Sequence, residues 1–367
     1  MQKISVTPIH KSLDYPIIIG ANLYDFTAWL PKQAFQQIVI ITDQVVKVYY
    51  GLQLQKCFRQ GGYNSLLFSF PAGEKFKSYK TKQMIEHSMQ LHRCHRDTLI
   101  IALGGGVVGD LAGFIAASYL RGVPYIQIPT SLLAMVDSSV GGKTGINTIH
   151  GKNLIGVIYQ PLSVIIDINL LKTLSKKNRI NGLIEAIKIF LIFDAESFYY
   201  AESHLESLIQ GDNCLLKEVI FRAVKIKAAV VSRDEKEQGE RLVLNFGHTL
   251  GHALEKISNY SLLHGYAVAY GLLVEVTISY LLGLLDRKSL LDIKNMFRRL
   301  GICGKNLQRY SQIELIQATK MDKKNRSRKV YYTLLRKIGS PYISYDNYVH
   351  PVTDQLVRQA IKKTIED

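Results

Sequence analysis

Short runs of β-branched and aliphatic residues recur through the first half of the chain, at 17–19, 38–42, 65–70, 98–103, 125–128 and 163–167. Polar or helix-periodic stretches separate them, and this alternation predicts an open, largely parallel sheet covered by helices. From about Leu174 onward the pattern changes. Apolar positions follow a helical period over 202–210, 215–231, 249–257, 267–285 and 289–300, so the second half is expected to be mostly helical. No Pro/Ser-rich linker, low-complexity segment or internal repeat marks the join. The expectation is an α/β domain over 1–174 with a Rossmann-like parallel sheet, then an α-helical domain over 175–367, the two packed closely about a cleft.

The longest apolar run, 266–285, approaches the length of a membrane span, but Glu275 stands near its middle. A lone carboxylate at that depth of a bilayer is costly, so the run reads as a helix buried in a large core, with no membrane partner. A chain of 367 residues with 47% hydrophobic content is long enough for two such cores. Its four cysteines, Cys57, Cys94, Cys214 and Cys303, fall in no paired spacing and follow no secretory leader, which fits a cytoplasmic protein. Cys94 lies between His92 and His95, but the neighbouring Arg93 and Arg96 make a solvated helix face the better reading. The net charge of +16 fits nucleic acid, anionic lipid or small anionic substrates equally well. Without zinc-finger spacing, a basic zipper or an aromatic RNA-binding motif, no nucleic-acid partner is expected.

Candidate chemistry begins at "TLIIALGGGVVGDLAGFIA", a buried strand, a glycine turn and a helix start. Gly104, Gly106 and Gly109 match the dinucleotide fingerprint, in which backbone N–H groups approach a pyrophosphate at a helix N-terminus. No acidic residue follows about twenty positions on, so a ribose would be held differently. "DSSVGGKTGIN" resembles a P-loop only at its end, because Asp137 stands where the first glycine belongs. It reads instead as a glycine-rich loop with lysines at Lys143 and Lys152, suited to a polyhydroxylated, phosphorylated ligand. In "NFGHTLGHALE" His248 and His252 are one helical turn apart, but Thr249 replaces the glutamate that a zinc protease requires. His248, His264 and Glu185 together offer two imidazoles and a carboxylate, a typical catalytic zinc set with one open position. Polar Lys227, Arg241, Asn245 and His252 fall in the same region of sequence, and Arg241 and Asn245 border the apolar "LVLNFG".

Taken together, "PAGEKFKS", "GGGVVGDLAGFIAASYLRGVPYIQIPTSLLAMVDSSVGGKTGIN", "KNLIGVIYQP", "EAIK", "DEKEQGERLVLNFGHTLGHALE" and "LLHGYAVAYG" resemble 3-dehydroquinate synthase over almost the whole chain. The resemblance implies an NAD-binding α/β domain, a helical domain, and an active site in the cleft with a divalent metal, Zn2+ or Co2+. It implies metal ligands at Glu185, His248 and His264. For NAD it implies Asp43, Gly73, Glu74, Lys77, Gly105, Gly106, Val107, Asp110, Thr130, Ser131, Leu170, Lys172 and Thr173, with Lys143 and Lys152 nearby. His252, Lys143 or Lys152, Asn153, Asn245 and a basic residue near Lys329 would hold the phosphate of a phosphorylated sugar acid. Lys227 and Arg241 would grip its carboxylate, and Asp137 and Lys188 would face the reacting hydroxyls and the metal. Arg121 would serve a partner subunit in a homodimer. In the implied reaction NAD oxidises C5, phosphate is eliminated, the hydride returns, and ring opening with an aldol closure gives the carbocycle; the metal serves as Lewis acid.

Two positions depart from the family pattern. "IF" follows Lys188 where Tyr-Gly is common, and "RSR" follows "DKKN", which leaves the phosphate contact open between Arg328 and Lys329. Three other readings compete. A cyclase with a different sugar phosphate would not need both Lys227 and Arg241. A metal-dependent alcohol or glycerol dehydrogenase usually carries an aspartate ligand and a histidine four positions later, whereas Ile189 stands four after Glu185. A catalytically dead binding protein would be expected to have lost a ligand, and none is lost.

Overall fold

A computed structural model describes residues 14–25, 30, 34, 35, 37–320 and 329–366. They fall into two compact units. One takes the chain up to Leu103 with Val107–Ile128 and Gly142–Ile166; the other takes Gly104–Gly106, Pro129–Gly141 and the chain from Asp167 onward.

The first unit is built on a sheet of six strands, β1 Ile17–Ile19, β2 Gln37–Asp43, β3 Asn64–Phe70, β4 Thr98–Gly104, β5 Tyr125–Pro129 and, beyond a hairpin, β8 Ser163–Ile166, in the order β1-β8-β5-β4-β2-β3. β1 with β8, β8 with β5, and β2 with both β3 and β4 all run parallel. These are the six runs that the hydrophobic pattern predicted. The central β4 is buried along its whole length, as an apolar strand covered on both faces must be. The helices of this unit are α1 Gln44–Val46, α2 Leu52–Gln60, α3 Tyr79–Leu91 and α4 Gly106–Ser118. Val39, Ile41 and Ile100 of the sheet pack with Met89 of α3 and Leu111 and Ile115 of α4 into one apolar cluster.

Between β5 and β8 the chain forms an antiparallel hairpin of β6 Lys143–Thr148 and β7 Gly151–Ile158. The glycine-rich loop expected around Lys143 is thus a strand from that residue onward. Gly145 faces Gly156 across the pair, and a methyl on Gly156 would lie 2.0 Å from the Thr144 carbonyl oxygen. Glycine there serves close strand contact, which looks like loop composition in sequence.

The second unit is mainly helical: α5 Lys176–Phe193, α6 Ala195–Ser203, α7 Leu205–Gln210, α8 Asn213–Arg233, α9 His248–Ile257, α10 His264–Leu281, α11 Arg287–Arg299, α12 Gln312–Lys320 and α13 Asp354–Glu366. The run expected as one helix over 202–210 breaks at His204, whose backbone leaves the helical region. α5 is buried from Arg179 through Ile192, and α10 has nearly all of its length inside the unit. A helix apolar all round belongs in a core. Among the described residues no helix is long and apolar enough to cross a membrane.

Candidate metal and substrate site

Helices α5, α9 and α10 bring three side chains of the helical unit together. Glu185 lies midway along α5 and is fully buried. His248 opens α9 and His264 opens α10. Asn181, one turn before Glu185, accepts the Gly265 N–H through its side-chain oxygen at 2.8 Å. A methyl on Gly265 would come within 2.2 Å of the Asn181 carbonyl oxygen, so glycine there lets α10 begin against α5.

The two imidazoles are oriented from behind. His248 Nδ1 lies 3.1 Å from the Phe246 carbonyl oxygen, and His264 Nδ1 lies 3.3 Å from Glu255 Oε2. Such partners make Nδ1 the protonated nitrogen and leave Nε2 as ligand. Both Nε2 atoms face Glu185 Oε1, at 4.0 Å from His248 and 3.6 Å from His264. Ligands each about 2.1 Å from one ion at a tetrahedral angle lie about 3.4 Å apart, so this spacing suits a divalent metal. Lys188 Nζ forms an ion pair with Glu185 Oε2 at 2.6 Å, and among the described residues neither carboxylate oxygen, both buried, has a well-aligned hydrogen-bond donor. A buried carboxylate oxygen without a donor, facing two imidazole nitrogens, is what a metal ligand set requires. Among the described residues this trio is the one cluster of metal-binding type; His92, Cys94 and His95 form none.

Charged groups surround the trio. Lys227 of α8 donates to both the carboxylate and the carbonyl of Asp137, which lies in the wide turn Ala134–Ser138. Burial works against the Asp137 charge, but Lys227 and Lys188 hold its carboxyl well below the usual range. Burial pulls Lys227 below the usual lysine range despite Asp137, whereas Glu185 and Asp137 outweigh burial and hold Lys188 above it. The direction that geometry supports is an ionised Asp137 facing two cations. The Arg241 guanidinium is buried and donates to the carbonyls of Glu235 and Gly141. Asn245 donates to Glu237 at 2.8 Å, and the His252 ring packs edge-on to His248 with centroids 5.4 Å apart. Lys329 is exposed; Arg328 and the "RSR" departure lie outside the described residues.

The NAD-type residues divide between the units. In the helical unit Thr130 N–H donates to the Gly104 carbonyl at 3.0 Å, and methyls on Gly105 and Gly106 would lie 3.3 and 3.0 Å from the hydroxyls of Ser131 and Ser138. Leu170, Lys172 and Thr173 share a short 3₁₀ turn over Ile168–Thr173. In the α/β unit Asp43 caps α1 by accepting from Val45 and Val46. Gly73 takes φ 121°, a conformation that favours glycine. Lys77 is buried and donates to Asp110 and to the side-chain oxygen of Asn153. Asn147 completes that network, donating to Glu74 at 2.8 Å and accepting the Asn153 N–H at 3.0 Å. Val107 lies in the first turn of α4, Lys143 begins β6, Lys152 is half-buried on β7, and Arg121 is exposed with φ 67°.

Motif reading missed Asn147, Asn181, Glu237, Glu255 and Glu275. Glu255 carried a signal, since it follows His252 by three positions and His248 by seven on one helix face. Glu237 meets Asn245 within the same stretch of chain, and Asn147, Asn181 and Glu275 act through contacts distant in sequence.

Residues 67–181 match the family described as 3-dehydroquinate synthase N-terminal, and residues 182–325 the one described as 3-dehydroquinate synthase C-terminal. The 3-dehydroquinate synthase of Nitrosospira multiformis is 41% identical over 344 residues, which is 93% of either chain. In fold, 2-epi-5-epi-valiolone synthase from Streptomyces hygroscopicus, solved with NAD+ and Zn2+ bound, superposes with TM-score 0.88 at 27% identity, covering 100% of this chain and 99% of the other. A 2-deoxy-scyllo-inosose synthase complexed with carbaglucose-6-phosphate, NAD+ and Co2+ has the same fold, with TM-score 0.87, 24% identity and coverage of 95% and 96%.

Proposed function

The chain belongs to the 3-dehydroquinate synthase family, which converts 3-deoxy-D-arabino-heptulosonate 7-phosphate to 3-dehydroquinate and phosphate, and on that premise we propose that Glu185, His248 and His264 hold its divalent metal. The observation that carries the assignment is the buried, donor-free Glu185 Oε1 facing two imidazole Nε2 atoms. Zn2+ or Co2+ bound there supplies a Lewis acid for the substrate's C5 oxygen, and NAD supplies a hydride acceptor that is restored within each turnover.

The chain's own residues bind, orient and move protons. Arg241 and Lys227 are buried cations suited to a substrate carboxylate, because a fixed cation in a dry site positions an anion better than one in water. Asp137, held ionised, accepts hydrogen bonds from substrate hydroxyls, and Lys188 balances the charge of Glu185 beside them. His252, Asn245, Lys143 or Lys152, Asn153 and a basic residue near Lys329, either Arg328 or Lys329 itself, are assigned to the departing phosphate. The glycine turn at Gly105–Gly106 and the N-terminus of α4, which has no acidic residue in its first turn, suit the NAD pyrophosphate. Asp43, Gly73, Glu74, Lys77, Val107, Asp110, Thr130, Ser131, Leu170, Lys172 and Thr173 are assigned to the same cofactor. Arg121 is assigned to the site of a second copy in a homodimer.

Glu185→Gln tests the metal assignment, because it keeps the shape and removes the charge that binds a cation. Metal affinity is expected to fall by more than the roughly 10–100-fold that loss of an outer partner costs, with turnover falling in parallel. Full turnover by a metal-stripped preparation of that variant would refute the assignment.

A further inference from the structure

Glu275 is fully buried and ionisable, and the chemistry above gives it no part. It follows His264 by eleven positions on α10, three turns at 3.6 residues each, so the two project from one side of that helix. Its Oε2 accepts the backbone N–H of Gly247 at 3.0 Å. Gly247 is the N-cap of α9, immediately before His248, with φ 77° and no capping side chain of its own.

The first N–H groups of a helix have no partner within it, and a buried one needs an acceptor from elsewhere. Here the acceptor comes from the helix that carries the other imidazole. The two backbones nearly touch at this point: a methyl on Gly271 would lie 1.9 Å from the Gly247 carbonyl oxygen, and one on Gly247 would lie 2.7 Å from the Val268 carbonyl oxygen. A carboxylate also complements the positive end of α9. Burying that carboxylate costs free energy, and an apolar side chain would fill the same space without the cost.

We propose that Glu275 is a positioning residue for the metal, fastening the start of α9 to α10 so that His248 and His264 turn their Nε2 atoms toward Glu185 at ligand spacing. The proposal rests on the metal assignment above. Its test is Co2+ uptake without substrate, read by competition with a chromophoric chelator and by the visible d–d absorption of the loaded protein. Glu275→Met removes the acceptor at similar volume, and its Co2+ affinity is expected to fall by roughly 10–100-fold with an altered d–d spectrum. Glu275→Gln keeps an acceptor oxygen and is expected to recover most of that loss. A folded methionine variant with parental affinity and spectrum would overturn the proposal, as would a glutamine variant as weak as the methionine one. Should Glu275→Met fail to fold, Glu275→Asp, which keeps the charge on a shorter reach, is expected to bind more weakly than the parent; parental affinity there overturns the proposal equally. Parent protein that takes up no Co2+ would overturn the metal assignment itself, and this inference with it.

Discussion

Asp137 shows how one residue's surroundings set its charge. Its carboxyl is pushed upward by burial and pulled further down by Lys227 and Lys188. A folded-state pKa below the unfolded value means that its contribution to stability is complete above the ordinary aspartate value of about 3.9 and is lost as pH falls through the folded value. Asp137→Asn is therefore expected to be less stable than the parent at neutral pH, with the gap narrowing as pH falls below the ordinary aspartate range; urea unfolding at a series of pH values measures this. The side chain keeps 23% exposure, so the gap stays smaller than for a fully enclosed pair. Equal stability of the two proteins at neutral pH would count against the ion pair. At this scale the histidines and Glu185 were legible as residue types, and the resemblance gave them roles, but spacing alone could not bring Glu185 within 3.6 Å of His264. Glu255, Glu275 and Asn147 were harder to read because their meaning comes from what they face, and that depends on how the helices and the hairpin pack.

Elements were more legible than contacts. β-Branched runs marked the six strands of the sheet because a strand covered on both faces must be apolar throughout. The β6 side of the β6–β7 hairpin was read as loop because its glycines, one of which permits close strand contact, carry the composition of a turn. Helical period marked α8 to α11 well, but not the break at His204 between α6 and α7, which a continuous apolar spacing conceals. Backbone proximity between α9 and α10 gives a test at this level. Gly271→Ala would force a methyl to 1.9 Å from the Gly247 carbonyl oxygen, so the helices must separate. The expected loss of stability is about 1–3 kcal/mol, read as a lower thermal midpoint, with metal affinity reduced alongside. A midpoint equal to the parent's would show that the crossing is looser than its geometry.

Across the whole molecule the formal charge is +16, whereas the substrate carries a carboxylate and a phosphate. Such a field raises the encounter rate of an anion and is screened by salt. kcat/KM is expected to fall several-fold between about 0.05 and about 0.5 M ionic strength, with kcat changing less. A flat profile would mean that the basic residues serve something other than capture of this substrate. Charge alone left the partner undecided in the sequence, since nucleic acid, lipid and sugar phosphate are equally anionic; membership of the 3-dehydroquinate synthase family is what favours a sugar phosphate. The central claim is a synthase whose hydride leaves and returns within one turnover. Phosphate release from 3-deoxy-D-arabino-heptulosonate 7-phosphate, with NAD and Zn2+ each supplied or withheld and NADH absorbance followed, tests it most directly. Release that requires both, with no net NADH, is the expected result. Release without either, or NADH accumulating in proportion to product, would contradict it.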